Sequence, residues 1–386
     1  MDFANQVSES SNGGLEPGTS LWAPAAAGGT SGVGAEQILP VILSGGAGSR
    51  LWPCSTEDTP KQFLSFTGSK SLFRLTLDRV EDRNRFASPI VVSNVRHADL
   101  CDRELGDGQY EARLILEPFG RNTAAAVTMA AAFAKEAHGE DVLLVVMPSD
   151  HVIEDIDALH EGLRAGEAAA RSGRLVTFGI RPTAAETGFG YIKTGADIAE
   201  IGNGVKEVAS FVEKPQLAAA EAMIADGQHL WNAGIFLFRA GTFLDEMMVH
   251  APAIARAAQR AIARAERREN RVMVSEAELL NCPSESVDFA VMERSERLAV
   301  VPMSAGWSDL GSWDALAQLV HAQGAQGPIT VLDCADCYIR SDGLQVAALG
   351  VRDLIIVASG QRLLIVPRGR SQEVKKLLSA MESIAA

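Results

Sequence analysis

Ile38-Leu-Pro-Val-Ile-Leu-Ser44 runs directly into Gly45-Gly-Ala-Gly-Ser-Arg-Leu51, and this join decides the fold. A short apolar run without polar alternation reads as a strand buried on both faces, the kind found in parallel sheets covered by helices. The glycines that end it let the backbone approach an anion closely and aim N–H groups at its oxygens. Two familiar phosphate loops do not fit. A dinucleotide fingerprint counted from Gly46 needs Gly or Ala at position 51 and meets Leu51, and a P-loop counted from Gly45 needs Gly-Lys where Arg50-Leu51 stand.

Further apolar runs follow at 89–93, 114–116, 142–147, 175–180 and 235–238, separated by helix-like stretches such as 123–137 and 158–171. Strand alternating with helix predicts an α/β domain, Rossmann-like, around a mostly parallel sheet. The character changes after Gly327, where short apolar runs at 329–332, 346–349, 354–357 and 363–366 are divided by turn residues and closed by a helix from Ser371. The chain thus divides into a head, 1–37, a larger α/β domain, 38–326, and a small β domain, 327–386. The head is rich in Gly, Ala and Ser, buries too little apolar surface to offset ordering entropy, and is expected to be disordered.

Composition bounds the function. With 35 basic against 49 acidic residues in 386, the net charge is -14, which repels a phosphate backbone over most of the surface. Nucleic-acid binding is not expected. No apolar stretch is long enough to span a membrane, and no Lys or Arg precedes Arg50, so the head lacks the basic start of a secretory signal. Five cysteines, an odd number, do not read as a disulfide framework, which points to a reducing cytoplasm.

Chemistry concentrates near the glycine loop. Arg50 and Lys61 flank it, two cations suited to different phosphates of one triphosphate. Asp150 follows the 142–147 run and so stands at the carboxyl end of a strand, where open α/β sheets bind ligands.

Ile42-Leu-Ser-Gly-Gly-Ala-Gly-Ser-Arg-Leu-Trp-Pro53 with Pro60-Lys-Gln-Phe63 resembles the signature of the sugar nucleotidyltransferase family, in the wording of its mannose-1-phosphate guanylyltransferases. The resemblance continues through Glu117–Ala124, Met147–Ile153, Glu186–Ile192, Phe211–Pro215, Trp231–Phe236 and Trp307–Trp313, and it covers the chain from Ile38 onward. Ser49, where threonine is usual, and Leu310, in place of the commoner valine, are mild departures.

The resemblance implies transfer of GMP from GTP to mannose 1-phosphate, giving GDP-mannose and pyrophosphate. It implies Mg²⁺ on Asp150 and Asp309. It places the nucleotide on Leu43, Gly45, Gly46, Gly48, Ser49, Arg50, Lys61 and the loop Gly120, Arg121, Asn122, Thr123. The sugar phosphate falls to Gly190, Glu213, Lys214 and Asn232, with Lys214 as its cation. The small β domain is implied to be a left-handed parallel β-helix, and a homodimer is among the assemblies to expect. Another nucleotide or hexose phosphate, or a silent regulatory subunit, stays open as an alternative. Many relatives carry a fused isomerase domain, whereas the 60 residues from 327 hold no histidine set for a second metal site, so isomerase activity on fructose 6-phosphate is not expected.

Three features are read as structural. His151 has no base role to fill, because a phosphate monoester is already ionised at neutral pH, and reads as a structural residue or one standing behind the site's own side chains. Cys334 and Cys337 have metal-like spacing, but in a strand they face opposite sides. The arginines at 256, 260, 264, 267, 268 and 271 read as a solvated helix face.

Overall fold

The computed structural model describes residues 34, 36–46, 48–106, 110–202, 204–320 and 326–385. The expectation of a disordered head therefore falls almost wholly outside the described residues. Order begins at β1 (Ile38–Ser44) and continues through β2 (Ile90–Asn94), β3 (Arg113–Glu117) and β4 (Leu143–Pro148). Next come β5 (Val152–Ile153), β6 (Leu175–Ile180), β7 (Gly190–Asp197), β8 (Lys206–Glu213) and β9 (His229–Arg239). The first part closes with β10 (Glu266–Arg268), β11 (Arg271–Met273), β12 (Leu298–Met303) and β13 (Trp307–Ser308).

One sheet dominates, in the order β10-β11-β3-β2-β1-β4-β9-β6-β12-β8-β7. β1 lies between β2 and β4 and is parallel to both. The expected mostly parallel character holds around β1, β2, β3 and β4; beyond them β9 runs antiparallel to both β4 and β6, and the β7–β8 hairpin adds more antiparallel pairs, so the sheet as a whole is mixed. The parallel half carries the glycine loop. Its registers, Ser44 opposite Ser93 and Leu43 opposite Pro148, bring the carboxyl ends of β1, β2 and β4 to one edge.

Helices cover the faces because the strands are apolar on both. Asn122–His138 is buried along most of its length, with Ala124, Ala125, Ala130, Ala131 and Ala134 fully enclosed. Small side chains let it sit close between the sheet and the helices Ala240–His250 and Pro252–Ala263.

The arginine-rich segment corrects one expectation. The helix ends at Ala263, and the chain turns into the β10–β11 hairpin, so Arg267, Arg268 and Arg271 do not extend its face. Most of these cations are paired: Arg260 with Glu278 at 2.6 Å, Arg267 with Glu136 at 2.6 Å, Arg264 with Glu278 and Arg271 with Asp102.

The C-terminal strands are β14 (Ile329–Leu332), β15 (Tyr338–Ser341), β16 (Val346–Leu349), β17 (Leu354–Ser359) and β18 (Arg362–Pro367). Ile329 pairs with Val346 and Tyr338 with Ile355, both parallel at the same 17-residue spacing, so successive turns of a coil stack. Cys334 and Cys337 lie at its corners rather than in a strand. Asp333 and Asp336, at φ of 54° and 53°, turn the chain there, and both thiols point into one small apolar cluster. The expected opposite orientation fails for that reason. A larger cluster containing Leu51, Phe66, Trp313, Tyr338, Ile355 and Leu364 joins this coil to the glycine-loop segment and the Asp309 turn.

Candidate active site

The site starts where β1 stops. Gly48 has φ of 60°, and a Cβ there would lie 2.8 Å from both Cβ and Cγ of Lys61. Only glycine leaves room for the lysine stem to pass under the loop. The Lys61 side chain is 10% exposed; its Nζ sits 3.0 Å from Asp150 Oδ2 and donates to the main-chain oxygen of Asp309 at 2.7 Å. Arg50 stands exposed on the next turn with no ion pair to the described residues, an available cation beside exposed Gly45 and Gly46 and half-buried Leu43 and Ser49.

Asp150 follows β4, and a two-residue ladder, Ile153 opposite Trp307 and Val152 opposite Ser308, sets the Asp309 turn alongside it. Asp309 Oδ1 accepts from the Gly311 N–H at 3.0 Å, and Leu310 is held at φ of 45°. Burial alone raises the Asp150 carboxyl, but the Lys61 ammonium and His151 outweigh it and hold the group below its usual range. Burial lowers His151. Its Nε2 is 3.7 Å from Asp150 Oδ1, its Nδ1 accepts from Trp307 Nε1 at 3.2 Å, and its main-chain oxygen accepts from buried Arg79 at 2.7 Å.

The donor set fits a hard dication. One carboxylate oxygen of Asp150 and the main-chain oxygen of Asp309 meet at one buried ammonium, so two carboxylate-bearing turns surround a positive charge, and no group of three or more His, Cys, Asp or Glu able to hold a metal occurs among the described residues. Oxygen donors without nitrogen or sulfur ligands suit a hard dication rather than a structural zinc.

On one side of this centre, Gly190 faces Glu213 across the β7–β8 ladder, and a Cβ on Gly190 would lie 2.5 Å from Glu213 Oε2. Lys214, at φ of 50°, pairs with Glu213 at 2.9 Å while its side chain stays 55% exposed. Asn232 accepts from Thr177 Oγ1 at 2.9 Å and from the Gly234 N–H at 3.2 Å, and it donates to Asp288 Oδ1 at 2.9 Å. Its carbonyl is thus occupied by two donors. Asp288 opens a π-helical turn, and burial and the Glu213 carboxylate push it up to about 6.

On the other side, Glu117 ends β3. Arg121 is tied to the neighbouring loop: Nε and Nη2 donate to the carbonyls of Leu279 and Leu280 at 3.1 and 2.6 Å. Thr123 Oγ1 accepts from the Val287 N–H at 2.9 Å. These two anchor the loop, while Gly120 and Asn122, the latter at φ of 63°, remain exposed.

Sequence reasoning missed Arg79, Glu117 and Asp288 as site components. Glu117 stood at a strand end as Asp150 did, so its position was readable. Asp288 belongs to no periodic pattern, and its neighbours come together only in the fold.

A glycine loop over a buried lysine, with two carboxylates at the carboxyl edge of an α/β sheet, defines a phosphate-handling transferase site. Residues 39–325 match the nucleotidyl transferase family model, and residues 327–381 match that of the MannoseP isomerase/GMP-like beta-helix domain. The xanthan biosynthesis protein XanB of Xanthomonas campestris pv. campestris is 42% identical over 353 residues, 90% of this chain and 74% of that protein. The mannose-1-phosphate guanylyltransferase RfbM of Salmonella typhimurium is 41% identical over 351 residues, 89% of this chain and 72% of that one. A crystal structure from Thermus thermophilus, described as a mannose-1-phosphate geranyltransferase, superposes with a TM-score of 0.79 at 33% identity, covering 90% of this chain and 99% of that one. The chain belongs to the mannose-1-phosphate guanylyltransferase family of nucleotidyl transferases. Members of this family generally use a divalent metal.

Proposed function

We propose that the chain transfers GMP from GTP to mannose 1-phosphate, releasing pyrophosphate and forming GDP-mannose, with Mg²⁺ as the metal. The observation that carries this reading is lateral order. Along the sheet edge the exposed loop after β3, the glycine loop after β1, Asp150 after β4 and Asn232 in β9 follow one another. At about 4.8 Å per strand, β3 to β9 spans roughly 19 Å, room for a base, its phosphates and a hexose in sequence.

In this reading the exposed Gly120–Asn122 stretch meets the base, and the N–H groups of Gly45, Gly46, Gly48 and Ser49 cradle the phosphates with Arg50. Lys61 keeps Asp150 ionised and fixes the Asp309 turn. The two carboxylates hold Mg²⁺, and the chemistry it supplies when bound is neutralisation of phosphoryl oxygens at the α-phosphorus. Lys214 takes the sugar phosphate, and Glu213, Asn232 and the Gly190 backbone take sugar hydroxyls. The attacking phosphate oxygen is already an anion, so alignment and charge neutralisation are the protein's main work.

The domain limits 38–326 and 327–386 and a cytoplasmic setting complete the proposal. Pyrophosphate release over a matrix of nucleoside triphosphates and sugar 1-phosphates tests it. GTP with mannose 1-phosphate is expected to give the highest kcat/KM; a clear preference for another pair overturns it.

A further inference from the structure

We propose that His151 is a positioning residue for Asp150, held by Trp307 in the tautomer that carries its proton on Nε2. The inference deepens the proposed function and rests on Asp150 holding the metal.

The indole Nε1 of Trp307 can only donate, and it lies 3.2 Å from His151 Nδ1. That nitrogen must therefore present its lone pair, and a neutral ring then carries its one proton on Nε2. The opposite tautomer sets two N–H groups face to face and turns a lone pair toward a carboxylate. Nε2 stands 3.7 Å from Asp150 Oδ1, while Oδ2 is 3.0 Å from the Lys61 ammonium. The two oxygens of Asp150 thus face different donors, which defines the rotation of the carboxyl group. The His151 contact is longer than a hydrogen bond, and a movement of about 0.7 Å closes it.

The ring itself has little freedom. Trp307 meets it edge-on at 5.4 Å, Phe189 packs edge-on against Trp307 at 5.3 Å, and Gly234 passes the ring at Cε1. Arg79, 2% exposed, grips the main-chain oxygen of His151. Trp307 also pairs with Ile153, so the residue that selects the tautomer lies on the ladder that brings the Asp309 turn to Asp150. Groups that orient metal ligands from behind typically matter 10–100-fold for metal affinity.

The test uses the full chain. In ¹⁵N-histidine spectra, wild-type His151 is expected to show a protonated Nε2 and bare Nδ1, and Trp307→Phe to give a mixture. Mn²⁺ titrated in the presence of GTP and followed by electron paramagnetic resonance, with the half-saturating Mg²⁺ for turnover, provides the second readout. His151→Asn, whose amide reaches only the Nδ1 position, is expected to weaken metal binding about tenfold or more. His151→Gln, whose amide nitrogen can occupy the Nε2 position, restores it. A proton on Nδ1 in the wild type, or metal binding equally strong in the Asn and Gln variants, overturns the inference. Asp150→Asn runs alongside: if it loses the metal while both His151 variants match the wild type, His151 alone was misread. If it keeps the metal, the Asp150 assignment falls and the inference with it.

Discussion

Lys61 Nζ lies 3.0 Å from Asp150 Oδ2 and donates to the main-chain oxygen of Asp309 at 2.7 Å, so one buried ammonium joins two turns far apart in the chain. The pairing explains why Asp150 stays ionised although burial opposes it, with its carboxyl held below the usual range. The same ammonium ties together the two turns that carry these carboxylates.

Asp150→Asn and Asp309→Asn each replace a carboxylate by a neutral amide of the same shape. If these groups hold Mg²⁺, kcat falls at least a hundredfold, about 2.7 kcal/mol. Steady-state turnover at saturating substrates measures it, and wild-type kcat in either variant refutes the assignment.

Gly48→Ala puts a Cβ 2.8 Å from the Lys61 stem and places a non-glycine residue at φ of 60°. The conformation alone costs about 1–2 kcal/mol. Because the displaced lysine is the one that joins the aspartates, the variant is expected to lose more kcat than melting temperature suggests. Parallel thermal unfolding and kinetics compare the two losses, and a variant with unchanged kcat removes Lys61 from the catalytic centre.

The glycine loop and the strand-end position of Asp150 were legible because both are local: an apolar run, then glycines or a carboxylate at its end. What Lys61 touches was not legible from spacing, since its partners come from two distant turns and only the eight motifs taken together suggested a shared site. Arg121 shows the limit from the other side: the carbonyls of Leu279 and Leu280 that hold it belong to a stretch with no motif of its own. The mixed sheet escaped for a similar reason, because an apolar run such as 235–238 reveals a buried strand but not the direction in which it enters the sheet.

Lys214 sits beside Glu213 and across the sheet order from the glycine loop, with more than half its side chain exposed. Lys214→Ala is expected to raise the KM for mannose 1-phosphate about tenfold while moving that for GTP far less, a difference of about 1.4 kcal/mol. Titration calorimetry with each substrate checks the order. A larger effect on GTP reverses the division of labour between Lys214 and the Arg50 side of the site.

Glu117 gives a stability prediction that is independent of substrate. Its carboxyl is buried, Oε1 has no hydrogen-bond partner among the described residues, and burial pushes it up to about 8 from an ordinary 4.5. The folded chain therefore keeps a proton that the unfolded chain releases between those values, so its contribution is fully present below pH 4.5 and is lost as the pH rises toward 8. Glu117→Gln cannot titrate and escapes that loss. Relative to wild type, the variant should gain stability steadily from pH 5 to pH 8, by at most about 1.4 kcal/mol per pH unit. Urea unfolding of both proteins at several pH values isolates this difference from every other titrating group. A difference that stays flat, or that shrinks as the pH rises, shows that Glu117 is ionised in the folded chain and has a partner there.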